Sequence, residues 1–166
     1  MTATSAASTP RLRRLDLVAV LTRWLLGGEF LYLGAVKALH PVDFLKLVRQ
    51  YDVFAGPPWL NLVAAWLPWL EIVCGLLLVL GIAVRGAAIT ILLLLLPLTA
   101  VVLRRAMELA VAGGIPLCSV KFDCGCGAGE VFVCGKLLEN LLLAVLAAWI
   151  VYRRSHTFCL RRRLFR

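Results

Sequence analysis

The sequence predicts an all-α fold: an integral membrane four-helix bundle with both termini cytoplasmic and a cysteine-rich outer loop between helices 3 and 4. Three observations lead there. Of 166 residues, 62% are hydrophobic and only 16% charged; the mean hydropathy is +0.93; and four stretches are long and apolar enough to cross a bilayer. A soluble domain of this length has too little interior to bury so much apolar surface. A hydrocarbon core of ~30 Å takes about 20 mostly apolar residues in a helix. Runs this long and Leu-rich do not fit the alternating strands of about 10 residues that build a transmembrane barrel.

Residues 1–14 are rich in Ala, Ser and Thr and end in arginines. They read as a disordered lead rather than a signal peptide, because the segment that follows is too long, carries Glu29, and offers no convincing small-residue cleavage site. The first helix spans 17–39 and is interrupted by Arg23, Glu29 and Lys37. In the next loop, Phe44, Leu45, Val48 and Tyr51 or Asp52 recur at helical spacing, which predicts a short amphipathic helix on the outer surface, ended by Pro57 and Pro58. The second helix, 61–84, carries only Glu71. The third, 86–106, is uncharged through Leu103 and includes the run Ile91 to Leu96. The fourth, 136–152, opens with Lys136, Glu139 and Asn140 before an uncharged remainder. Residues 153–166 form a basic cytoplasmic tail, read as a membrane-surface anchor. No internal repeat is evident, and residues 1–166 make a single transmembrane domain.

Charge sets the expected orientation, because cytoplasmic flanks accumulate Lys and Arg. One side collects Arg11, Arg13, Arg14, Arg85, Arg153, Arg154 and the arginines of the tail, with almost no acid. On the other side, the basic residues are offset by Asp43, Asp52, Glu108, Asp123 and Glu130. The net charge of +9 is then a topology signal plus an attraction to anionic headgroups of the lipid bilayer, with no nucleic acid partner implied. The expected location is a bacterial-type inner (cytoplasmic) membrane, multi-pass, with the cysteine loop facing the periplasm or exterior.

That loop holds four of the six cysteines, Cys118, Cys124, Cys126 and Cys134, spaced Cys-x5-Cys-x-Cys-x7-Cys. Cys124-Gly125-Cys126 is the candidate reactive pair: the two can be bridged, Gly125 relaxes the backbone, and so small a ring favours exchange over stapling. Lys121 favours a thiolate nearby while Asp123 and Glu130 oppose it, so the attacking sulfur stays open. Three arrangements remain: two structural disulfides, a four-cysteine metal centre whose spacing suits zinc poorly, or a mixed case. In the mixed case Cys124 and Cys126 exchange while Cys118 and Cys134 pair or relay. Cys74, inside the second helix, and Cys159, in the tail, read as bystanders.

Several motifs together carry a family resemblance. They are Arg23 through Gly34 and Lys37, the loop with Pro41 and Phe44, and the stretch Leu67-Pro-Trp-Leu-Glu71-Ile-Val-Cys-Gly75. Gly81, Arg85, Cys124-Gly-Cys126-Gly and Glu139-Asn140 complete the set. In order and spacing they resemble the DoxX-like membrane proteins, and within them the MauE (methylamine utilisation) branch, over about residues 23–149. The resemblance implies a redox-associated role in periplasmic disulfide formation or thiol electron transfer, beside a thioredoxin-like or cysteine-containing substrate protein and with quinone as a membrane acceptor. Here Cys126 is followed by Gly127 and Ala128, where the MauE-like pattern has Phe-Gly.

Charges within the spans are the remaining unusual feature, since an ionisable group at bilayer depth costs ~2.5–3.5 kcal/mol even on the lenient insertion scale. One reading has Glu71, supported by Glu29 and Tyr32, handling protons for a quinone or thiol reaction, with Pro68 freeing a carbonyl one turn away. The other has interhelical pairs that fix the bundle, such as Lys37 with Glu139. His40 and His156 lie on opposite sides and make no haem or copper pair, no metal is expected, and no nucleotide-binding motif is present. The functional expectation is a membrane thiol–disulfide redox protein, a possible thiol–disulfide oxidoreductase using Cys124 and Cys126. The alternatives are a non-catalytic scaffold or assembly factor with a disulfide-stapled outer loop and, on Glu29 and Glu71 alone, a small transporter.

Overall fold

The computed structural model describes residues 10–50, 57–123 and 130–153. Among them five α-helices follow in order: α1 Pro10–Leu39, α2 Pro41–Gln50, α3 Pro57–Leu80, α4 Val84–Gly113 and α5 Val133–Tyr152. Between α4 and α5 lie one turn of 3-10 helix, Leu117–Ser119, and two short strands, β1 Lys121–Asp123 and β2 Glu130–Phe132. Four stretches are long and apolar enough to span a membrane: Leu17–Leu39, Asn61–Leu80, Val84–Gly113 and Val133–Tyr152. The multi-pass four-helix architecture expected from composition is therefore present.

Several boundaries differ from the expected ones, each for a local reason. α1 begins at Pro10, inside the stretch read as a lead, because proline is tolerated in a first turn where its missing N–H has no partner to lose. α3 ends at Leu80 rather than 84: Gly81 (φ 74) and Ala83 (φ 46) are left-handed and reverse the chain into α4. α4 runs on to Gly113 and stops where Gly114, also left-handed, donates its N–H to the last carbonyls. The amphipathic α2 forms as its spacing suggests, with Phe44 as its buried residue. The expected contribution of Tyr51 or Asp52, and the tail with His156 and Cys159, lie outside the described residues.

The four long helices form a ring in which α1 touches α3, α3 touches α4, α4 touches α5, and α5 closes back on α1. α1 and α3 approach most closely. A Cβ on Gly75 would lie 2.7 Å from the Gly27 carbonyl oxygen, and one on Gly34 would lie 2.8 Å from that of Pro68. Both contacts keep one antiparallel register, seven residues apart on each helix. Glycine is required there because any side chain would meet backbone, and small residues are how membrane helices gain contact without a hydrophobic driving force. The centre is filled by Leu26, Phe30, Leu78, Ala88, Ile91 and Ala147, while Trp66, Trp69, Leu93 and Leu141 point outward. At the end away from the hairpin, Arg85 donates to the Val151 carbonyl (3.1 Å), satisfying one of the open acceptors at the end of α5.

Candidate functional site

The loop between α4 and α5 is a built structure. β1 and β2 pair antiparallel with Lys121 opposite Phe132, Phe122 opposite Val131 and Asp123 opposite Glu130. The Val133 N–H adds one more rung by donating to the Val120 carbonyl at 3.1 Å. Lys121 Nζ sits 4.8 Å from the ring centre of its cross-strand neighbour Phe132, an attraction of ammonium for the π face. Beneath the hairpin, Val120 and Val133 are buried against Ala106 of α4, with Leu109, Leu117 and Leu137 around them. This small second core fastens the hairpin to the bundle.

A disulfide joins Cys118 in the 3-10 turn to Cys134 in the first turn of α5, with Cα atoms 5.0 Å apart. Closing a loop of 16 residues restricts the unfolded chain by about 3 kcal/mol in the chain-entropy picture. The pairing narrows the arrangements left open by the spacing. A centre using all four cysteines would need both of these sulfurs as thiolates, whereas the bond is compatible with the mixed case and with two disulfides in which Cys124 and Cys126 pair with each other. Cys124 and Cys126 lie outside the described residues, in the segment 124–129 that connects Asp123 to Glu130. Those two residues are register partners, so the segment leaves and re-enters the hairpin at points about 5 Å apart. Cys74 is buried in α3 as a free thiol.

Below the hairpin end, the charged residues of three helices converge. Lys37 Nζ of α1 and Glu71 Oε1 of α3 form an ion pair of 2.5 Å, with side chains only 9% and 2% exposed. The register explains how they meet. Side chains lean toward the N-terminus of their own helix; α1 and α3 run oppositely, so Lys37 and Glu71, about 9 Å apart along the axis, lean toward each other. Phe44 of α2 covers the pair from outside, its ring centre 5.5 Å from Lys37 Nζ. Lys136 of α5 is buried, acts on Glu71 electrostatically, and bonds Glu139 at 2.7 Å. One turn further along, buried Asn140 donates to Thr99 Oγ1 of α4 at 3.1 Å. Glu71 Oε2 is enclosed and accepts no hydrogen bond from the described residues.

This arrangement corrects two expectations. Lys37 pairs with Glu71 and not with Glu139, because Glu139 is satisfied on its own helix by Lys136, three residues before it. Glu29 and Tyr32 do not support Glu71: Glu29 is half-buried and Tyr32 is 56% exposed, on the outward face of α1. Sequence reasoning passed over Lys136 as a partner in the cluster and over Phe44 as its cover. The first had a signal in the Lys136, Glu139, Asn140 spacing, which places all three on one helical face; the second had none, since it depends on how α2 folds back.

The family model described as methylamine utilisation protein MauE matches residues 15–153. The chain belongs to that family. No curated protein and no solved structure matches it.

Proposed function

We propose that this MauE-family membrane protein is a thiol–disulfide exchanger whose hairpin faces the outside of a bacterial-type cytoplasmic membrane. The observation that carries the reading is the Cys118–Cys134 bond. It occupies two of the loop's sulfurs in holding the hairpin to α5, which leaves Cys124 and Cys126 as the loop's remaining pair, between strand ends tied in register. With a single residue between them, they suit a labile disulfide. A thiolate of a thioredoxin-like or other cysteine-containing protein attacks one sulfur, breaking the Cys124–Cys126 bond and forming a mixed disulfide. The partner's second thiolate then resolves it, leaving the partner oxidised and Cys124 and Cys126 as the dithiol. Two electrons and two protons must leave the pair for it to act again, and a membrane quinone is the acceptor of matching stoichiometry.

The buried cluster fits a quinone headgroup in chemistry: Lys37, Lys136 and Asn140 carry N–H donors for carbonyl oxygens, and Glu71 Oε2 is an open acceptor. A second reading, a non-catalytic scaffold that docks a partner on the stapled hairpin, draws on the same disulfide and on the pairing of Lys37 with Glu71 as a purely structural bond. Serine substitution separates the two. Cys124→Ser and Cys126→Ser, made singly, should each abolish thiol oxidation; in the reverse step the remaining thiolate attacks the disulfide of the oxidised partner, and with the resolving sulfur gone one of the two variants should accumulate a reductant-sensitive adduct with it. If both variants keep full activity in supporting oxidation and trap nothing, the exchange reading fails and the scaffold stands.

A further inference from the structure

The outward face of α1 carries two polar groups that the bundle leaves unused. Leu25, Gly28, Glu29 and Tyr32 recur at the spacing of one helical stripe, together with Leu21 and Val18 on the same side, and most of these residues are exposed. Glu29 lies ten residues from the Leu39 end and twelve from the Leu17 end of its span, about 15 and 18 Å along the axis, so its carboxyl sits near the bilayer midplane. Among the described residues neither Glu29 nor Tyr32 forms a hydrogen bond or ion pair. Acyl chains offer no partner for either group, and polar side chains at this depth normally face protein.

We propose that this face binds a second copy of the same chain, α1 against α1 across a two-fold axis near Gly28. The argument is complementarity. Two copies in one membrane share an orientation, so the two α1 helices run parallel and each residue meets those about one turn away on its mate. The Tyr32 hydroxyl of each copy then donates to the Glu29 carboxyl of the other. A two-fold interface repeats every contact, so the donor and acceptor of both copies are satisfied together. Gly28 supplies the close approach: nothing lies within 4 Å of where its Cβ would be, so the space belongs to no part of the chain itself. The same stripe on a different partner would need donors placed by coincidence, whereas a second copy brings both groups at the required spacing.

The test uses the full chain, labelled with a donor or an acceptor fluorophore and reconstituted in phosphatidylcholine/phosphatidylglycerol bilayers over a range of protein-to-lipid ratios. The wild-type protein should show concentration-dependent energy transfer that saturates as a dimer. Tyr32→Phe removes both reciprocal bonds and should weaken association about tenfold, while Glu29→Gln, which keeps an acceptor oxygen, should weaken it less. Gly28→Leu should abolish it by separating the helices, and should leave the Cys118–Cys134 disulfide and thermal unfolding unchanged because the side chain enters open space. Leu93→Ala, on the outward face of α4, should have no effect. A wild-type chain that stays monomeric at every ratio overturns the proposal, as does a dimer indifferent to both Gly28→Leu and Tyr32→Phe, or one lost with Leu93→Ala. None of these readouts depends on thiol exchange.

Discussion

Replacing Lys37 with methionine tests whether the ion pair under the hairpin is a net stabiliser or only a matched set of costs. The side chain of Glu71 is 2% exposed and its Oε2 has no donor among the described residues, so Lys37→Met leaves a carboxyl group enclosed without the ammonium it was packed against. Breaking a buried pair from one side costs about 3–5 kcal/mol, because the surviving charge keeps its desolvation penalty. The lower part of that range is expected here, since Lys136 also acts on Glu71 and can supply a partial substitute. Lys37→Met combined with Glu71→Leu removes both charges and fills the space with apolar atoms, a change that is often neutral or stabilising. Unfolding in lipid–detergent micelles should therefore show the single variant destabilised by about 3 kcal/mol and the double variant within about 1 kcal/mol of the parent. A single variant that costs less than about 1 kcal/mol, or a double variant at least as unstable as the single, would refute the reasoning and mean that the pair is solvated in the native state.

The α1–α3 crossing makes a second prediction. Gly75→Ala places a Cβ 2.7 Å from a backbone oxygen and should cost about 1–3 kcal/mol as the helices separate, whereas Gly86→Ala, with open space around it, should be neutral or slightly stabilising by helix propensity; thermal unfolding of the two variants side by side checks this, and equal losses would contradict it. For orientation, cysteines introduced at Ala112 near the hairpin and at Ala7, in a background with the native thiols blocked, should differ in intact cells. A membrane-impermeant maleimide should label the first and spare the second, and the reverse pattern would invert the proposed topology.

The membrane architecture was legible in the sequence because length and apolarity are local sums that need no knowledge of neighbours. α2 was legible for a related reason, since Phe44, Leu45 and Val48 announce one face by periodicity alone. The hairpin was not, because strands of three residues, Lys121–Asp123 and Glu130–Phe132, are too short to show alternation. The sequence also marked Lys37, Glu71, Glu139 and the neutral but polar Asn140 as unusual at their depth, and offered Glu139 as an example of a partner for Lys37, whereas the structure pairs Lys37 with Glu71. That choice belonged to the tertiary structure. Gly27, Gly34 and Gly75 let two distant segments approach to backbone contact and fix their register, and the register, with the opposite lean of side chains on antiparallel helices, brings Lys37 to Glu71. The same packing leaves Tyr32 on the outward face of α1, while the hairpin and its small core on α4 bring Cys118 to Cys134. Such pairings depend on the relative rotation and height of helices far apart in the chain, quantities that no single segment's composition contains.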